Sequence, residues 1–434
     1  MNKKNNLILL ELNEINFKVI KDYIDSGIVL SGFEQILHKG ILNTFAETEY
    51  DLLEPWIQWP SVHTGLTYNE HKVFRLGDIV NHQHEQIFEK IESLGYKVGA
   101  VSPMNASNNL KNPAYFIPDP WTKTDSDGSY FSEGISKAVS QAVNDNASSK
   151  LTFRTIFSLC ISFLALVHPK KWISMTSYAL GSIGKPWRKA LFLDKLLYEI
   201  HKTLLDRKKP GFSTLFLNAG AHIQHHYFFN SPATNGNNLK NPEWYIKENQ
   251  DPMLEMLIEY DLIIKDLVTL SNTEIIISTG LSQKPYEKIK FYYRLTDHEN
   301  FLNILNIKFK DVQPRMTRDF LVNFDTKQEA KDAEIKLGKL FVDNSIKLFA
   351  EIDNRGNSLF VVLTYPSQID INTMVTFENM SLKLIDHTTF VSIKNGEHSP
   401  IGYSFFSEGI ANYAPNDGAH VSKIHDSILN YFND

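Results

Sequence analysis

Four short apolar runs, separated by helical patterns, constrain this chain more than anything else in it. NLILLEL (Asn6–Leu12), YKVGAVSPM, STLFLNAG and TEIIISTG each read as a buried strand. Between them, FKVIKDYIDSG, HEQIFEKIESLG and PMLEMLIEYDLIIKDLVTLS carry helical spacing. Strands that alternate with helices predict an α/β fold, a mostly parallel sheet sandwiched by helices. In such folds chemistry gathers where the strands end.

Two segments break the alternation. Residues 131–209 read as a helical insertion. Residues 285–357, with RDFLVNFDTKQEAKDAEIKLGKLFV, read as a small α+β insertion. At 42% hydrophobic and 12% aromatic, the 434 residues can bury a sizeable core. The net charge of -6 gives no reason to expect a nucleic-acid partner. The single cysteine, Cys160, excludes an intramolecular disulfide, and its apolar surroundings predict a packed core position. The apolar segment at the N-terminus is too short for a signal-peptide core, which predicts a cytoplasmic protein. The most membrane-like stretch, 151–172, carries Arg154 and is too short an apolar run for a transmembrane span. It reads as a buried or amphipathic helix. Peripheral contact with a membrane, with Lys170 and Lys171 at the headgroups, is the second reading.

The strand ends carry the chemistry. The first ends in Glu11, Asn13 and Glu14. The stretch TLFLNAGAHIQHHYFF ends a strand in His222, His225 and His226. His222 and His226 are four apart, so in a helix they share a face, a spacing that suits a metal. His398, in NGEHSPIGYSFFSEG, supplies a third nitrogen. Three protein ligands with one open position is the pattern of catalytic zinc. The expectation is therefore that His222, His226 and His398 converge on one ion, with His225 turned away or behind them.

The order of these segments resembles the alkaline phosphatase superfamily, in its type I phosphodiesterase/nucleotide pyrophosphatase branch. The resemblance covers most of the chain outside the two insertions. LILLELNEINFKVI looks like the family's first strand, with Asn13 and Glu14 where an aspartate and a glycine normally stand. EPWIQWPSVHTGLTYNEHKVF resembles the nucleophile helix, with Thr64, Gly65, Glu70 and His71 at its far end. VSPMNASNNLKNPAYFIPDPW fits the segment of the second strand. NAGAHIQHHYFF and GEHSPIGYSFFSEG resemble the segments that bind the first metal. The resemblance implies a single alkaline-phosphatase-like domain, 1–434, holding those insertions.

The departures are specific. Where the family places its Thr or Ser nucleophile, this chain has Glu54 and Pro55. The family's Ser-Asp-His-Gly motif is replaced by Ser278, Thr279, Gly280 and Leu281. The second metal's usual ligands are thereby lost, so the resemblance implies one divalent ion rather than two. With histidines in place of carboxylates, that ion is expected to be zinc. The implied activity is that of a hydrolase or transferase on a phosphodiester, phosphate ester or nucleotide-sugar-like substrate, small or glycan-linked. Metal-activated water replaces the missing nucleophile, and Glu54 is the candidate general base. Glu11, Asn13, Glu14 and His225 are candidates to bind the metal or support its ligands, and Arg75, Lys284 and Arg294 to hold phosphate oxygens. The alternative is a degenerate member that binds a phosphorylated ligand without hydrolysing it.

Overall fold

The computed structural model describes residues 4–144, 153–234, 239–315, 318–378 and 380–434. The chain divides into two compact units. The first comprises 1–237, Ile246–Pro285 and Gly396–Asp434; the second comprises Asn238–Tyr245 and Tyr286–Asn395.

The first unit is built on an eight-stranded sheet. In chain order its strands are β1 (Asn6–Leu12), β2 (Leu42–Phe45), β3 (Val98–Val101), β4 (Tyr115–Ile117), β5 (Phe212–Leu217) and β6 (Thr273–Ser278), followed by Ile401–Phe406 and Ala419–His420. Across the sheet the order is Ala419–His420, β2, Ile401–Phe406, β6, β1, β5, β3, β4. β1 lies between β5 and β6, parallel to both, with Leu10 opposite Leu215 on one side and Ile277 on the other. Only Ile401–Phe406 runs antiparallel to its neighbours. The α/β class and the mostly parallel sheet are thus as the alternating pattern predicts. The four central runs read as continuous apolar stretches because both faces of their sheet are covered.

On one face, Leu7, Leu9, Phe212, Phe216 and Ile276 pack against Trp59 and Val62 of the Pro55–Thr64 helix. Helices Ile87–Ser93 and Lys423–Asn433 join this core. Side chains alternate along β5, so Ser213 points to the other face, where it meets His201 of the Trp187–Lys208 helix at 3.2 Å. The Pro55–Thr64 helix begins with proline at its first position, where the missing N–H costs nothing. It ends at Gly65 with φ of 78°, and a Cβ there would lie 2.6 Å from the His425 ring. Only glycine satisfies both demands.

The second unit contains two four-stranded antiparallel sheets. The Lys327–Leu337 helix belongs to this unit and packs on the strands Glu351–Asn354 and Ser358–Val362.

Candidate metal centre

Three parallel strands deliver their C-terminal ends to one place. After β1 the chain turns sharply, and Glu14 takes φ of 62°, a left-handed conformation that costs a side-chain-bearing residue about 1 kcal/mol. The surroundings impose that geometry. The Asn13 N–H donates to the Leu217 carbonyl at 3.1 Å, and the Glu14 N–H to Thr279 at 3.0 Å. The Glu14 carbonyl accepts from the Gln283 N–H at 3.1 Å and from Gln224 Nε2 at 2.8 Å. Strain held this firmly at a strand end is characteristic of functional sites.

The Glu14 carboxylate is 2% exposed. Asn13 Nδ2 donates to Oε1 at 3.2 Å, and Gln283 Nε2 donates to Oε2. Two histidines meet the same oxygen: His225 Nε2 at 3.3 Å and His398 Nε2 at 3.2 Å. Burial disfavours the charge, but His398 and His225 outweigh it and hold the carboxyl far below the ordinary range.

His398 lies near the end of the Thr388–Ser399 strand. Its Nε2 is buried and faces the Glu14 carboxylate. The ring bonds to the Leu53 carbonyl. Nδ1 also lies 3.7 Å from Glu54 Oε2. Burial opposes protonation of His398, while the two carboxylates and the Leu53 carbonyl raise its pKa to about 9.

The donor atoms of Glu14, His225 and His398 lie within 4.8 Å of one another. His225 Nε2 and His398 Nε2 both face Glu14 Oε2. Ligands at about 2.1 Å from a tetrahedral zinc stand about 3.4 Å apart, and the observed separations from Glu14 are 3.2 and 3.3 Å. One carboxylate and two imidazoles are also a donor set that zinc accepts. The residues fit a single divalent ion.

The chain is similar in structure to solved members of the alkaline phosphatase superfamily. Phosphonoacetate hydrolase from Sinorhizobium meliloti 1021 aligns over 99% of this chain and 96% of its own, with 11% identity and a TM-score of 0.43. Alkaline phosphatase from the Antarctic bacterium TAB5 aligns over 99% and 98%, with 12% identity and a TM-score of 0.40. Murine ectonucleotide pyrophosphatase/phosphodiesterase 5 aligns over 99% and 95%, with 10% identity and a TM-score of 0.40. No family model and no curated protein sequence matches the chain. Residue roles here rest on the geometry of this chain.

The candidate donors that this geometry brings together differ from those that helical spacing suggests. His225, not His222 or His226, joins His398, and Glu14 is the third donor. His222 and His226 do share a face of the Ala219–Tyr227 helix, with ring centroids 4.5 Å apart. Each residue turns a helix by about 100°, so the face of His222 and His226 is rotated away from that of His225. Packing sets the rotation. A Cβ on Gly220 would lie 2.3 Å from Ile15 Cδ1, so glycine admits Ile15 and brings the Gln224 side chain to the backbone of Glu14. The start of the helix is anchored by Asp194, which accepts from the N–H groups of Asn218 and Ala219 and from the Tyr260 hydroxyl. Dense protein around His222 lowers its pKa to about 4 although the residue reaches solvent, and burial lowers that of His226 well below the ordinary imidazole value.

The other candidates separate by their partners. The amide of Asn13 bridges Glu14 and Asn218, and its oxygen accepts from Trp59 Nε1 at 2.8 Å, so Asn13 orients Glu14. Glu11 shares the core face of Leu7 and Leu9 and binds His63 Nε2 at 3.0 Å and Thr214 Oγ1 at 2.6 Å. It is a buried core carboxylate and not a donor of this cluster. Thr64 donates to the Pro60 carbonyl, and His71 is held by Ser61 and the Val73 N–H. Lys284 pairs with Glu397 at 3.0 Å. Arg75 is exposed beside Asp78, and Arg294 belongs to the second unit. Gln283 escaped the sequence reading. It lies just past β6, and nothing in SQKP distinguishes an amide that grips a buried carboxylate from one at the surface.

Proposed function

We propose that the chain is a metal-dependent hydrolase or transferase of phosphate esters or phosphodiesters, working with one divalent ion, zinc in the first instance. Glu14, His225 and His398 would hold the ion. The observation that carries this reading is the convergence of the donor atoms of Glu14, His225 and His398 within 4.8 Å of one another, with the two imidazole nitrogens 3.3 and 3.2 Å from Glu14 Oε2. When bound, such an ion supplies a Lewis acid and lowers the pKa of water toward 7.

The chain's own groups do the rest. Asn13 and Gln283 fix the Glu14 carboxylate in place. The Leu53 carbonyl orients the His398 ring. Glu54 stands at the N-cap of the Pro55–Thr64 helix, yet its side chain makes no capping bond and approaches His398 instead. With a side chain 31% exposed, it is open to water and is the base we assign to accept a proton from it. Glu54 and Pro55 offer no hydroxyl, so this reading requires no phosphorylated Ser or Thr intermediate. Lys284, at the rim and already paired with Glu397, is the group we assign to phosphate oxygens.

Metal analysis of purified protein, followed by turnover of bis(p-nitrophenyl) phosphate and p-nitrophenyl phosphate, tests the proposal. One equivalent of zinc with turnover supports it. Stoichiometric metal with phosphate binding but no turnover supports the non-hydrolytic alternative. Protein that binds no divalent ion refutes both metal readings.

A further inference from the structure

The region from Leu151 to Leu193 contains no aspartate or glutamate, in a chain that carries 50 acidic residues. Its charged side chains are Arg154, Lys170, Lys171, Lys185, Arg188 and Lys189. Two helices within it, Phe153–Leu166 and Pro169–Leu180, leave apolar side chains in water. On the first, Phe157 and Leu164 are more than half exposed and seven residues apart, with Cys160 exposed between them. The core position expected for Cys160 is therefore corrected: it lies on this stripe. On the second helix, Ile173 and Leu180 repeat the seven-residue spacing, and Ile183 follows in the next turn. Ile173 is 85% exposed and Ile183 83%. Positions seven apart lie on one helical face. The inner sides of the same helices bury Leu166 and Met175, and both helices pack on the Trp187–Lys208 helix.

We propose that these two helices form a docking surface for an anionic lipid bilayer. The apolar stripes would sink to the acyl boundary while the charged rim stays among the headgroups. The charge pattern selects this occupant. Lys185 and Arg188 are engaged by Glu255, but Lys170 and Lys189 are exposed, and Lys171 is 3.7 Å from Glu199 with most of its side chain in solvent. Lys170 and Lys171 sit in the first turn of the second helix, just after the two helices join. A surface that joins exposed lysines to isolated apolar side chains, without one carboxylate in its sequence, complements anionic headgroups over an apolar interior. No described helix is long and apolar enough to cross a membrane, so the contact lies in the plane of the surface. The first two residues of the 151–172 stretch lie outside the described residues.

Co-sedimentation of the full chain with vesicles tests it, using phosphatidylcholine alone and phosphatidylcholine with one-third phosphatidylglycerol. Binding to the anionic vesicles that falls at least tenfold on raising salt supports the proposal. I173D/I183D should reduce that binding at least tenfold, and K170E/K171E should reduce it for anionic vesicles only. Ile183→Ser, in a turn outside both helices, provides a substitution with little risk to folding and should weaken binding several-fold. No binding by the wild-type chain, or equal binding to both vesicle types, overturns the proposal. So does a chain that ignores vesicles but forms a dimer that I173D/I183D dissociates, because the face then covers a second copy.

Discussion

His225→Ala should abolish tight zinc binding, whereas His226→Ala should leave it nearly intact. The two residues are adjacent in sequence, identical in chemistry and part of one helix, so the pair isolates geometry from composition. His225 Nε2 lies 3.3 Å from Glu14 Oε2, and the donor atoms of Glu14, His225 and His398 all lie within 4.8 Å of one another. His226 instead packs its ring, tilted, against that of His222. Loss of a group that only supports a metal ligand costs roughly 10- to 100-fold in affinity. Loss of one of three direct ligands must exceed that, so His225→Ala is expected to weaken zinc by more than about 100-fold, or about 2.7 kcal/mol. His226→Ala is expected to stay within about threefold, about 0.6 kcal/mol, because it removes only a neighbouring ring. Competition against a chromophoric zinc chelator at pH 7.5 measures both, with thermal melting as the check on folding. If His226→Ala loses zinc and His225→Ala keeps it, the set His222, His226 and His398 holds the ion and the assignment to Glu14 and His225 is wrong.

Glu54→Gln should fold and bind zinc normally but lower phosphodiester turnover by about 100-fold or more, the scale of a lost general base; unchanged turnover would reduce Glu54 to a helix cap. Stability should fall on acidification because His201 is fully buried, and burial lowers its pKa to about 3. The unfolded chain takes up this proton below about pH 6.5 and the folded chain does not. The contribution is complete above pH 6.5 and is lost as pH falls toward 3, reaching about 2 kcal/mol at pH 5. Urea denaturation at pH 7 and pH 5 should show this difference shrink in His201→Leu, and an equal loss in both proteins would refute it. Gly65→Ala should cost roughly 2 kcal/mol, combining a left-handed residue with a Cβ 2.6 Å from His425; a melting temperature within a degree of wild type would show that the helix end relaxes freely.

The apolar runs determined the strands on their own, because a strand buried on both faces needs no partner information to look apolar. Glu54 at the start of its helix was legible for the same kind of reason, since Pro55 marks the first turn whatever packs around it. His398 was legible as a site residue by its place before the Ile401–Phe406 strand. The choice of His225 over His222 and His226 was not. Spacing reports which side chains share a helical face, but not which way that face turns. Here the turn is decided by Gly220 against Ile15 and by Gln224 reaching the Glu14 carbonyl, contacts more than 200 residues apart in sequence. The same holds for Glu11 and Glu14, two carboxylates of one strand end. The alternation along β1 sends Glu11 into the core with His63, and the left-handed turn at Glu14 sends its carboxylate to the histidines. Gln283 became part of the site only because β6 lies beside β1. Local patterns determine which segments fold into which elements, while the rotation and pairing of those elements, set by distant contacts, determine which polar side chains meet.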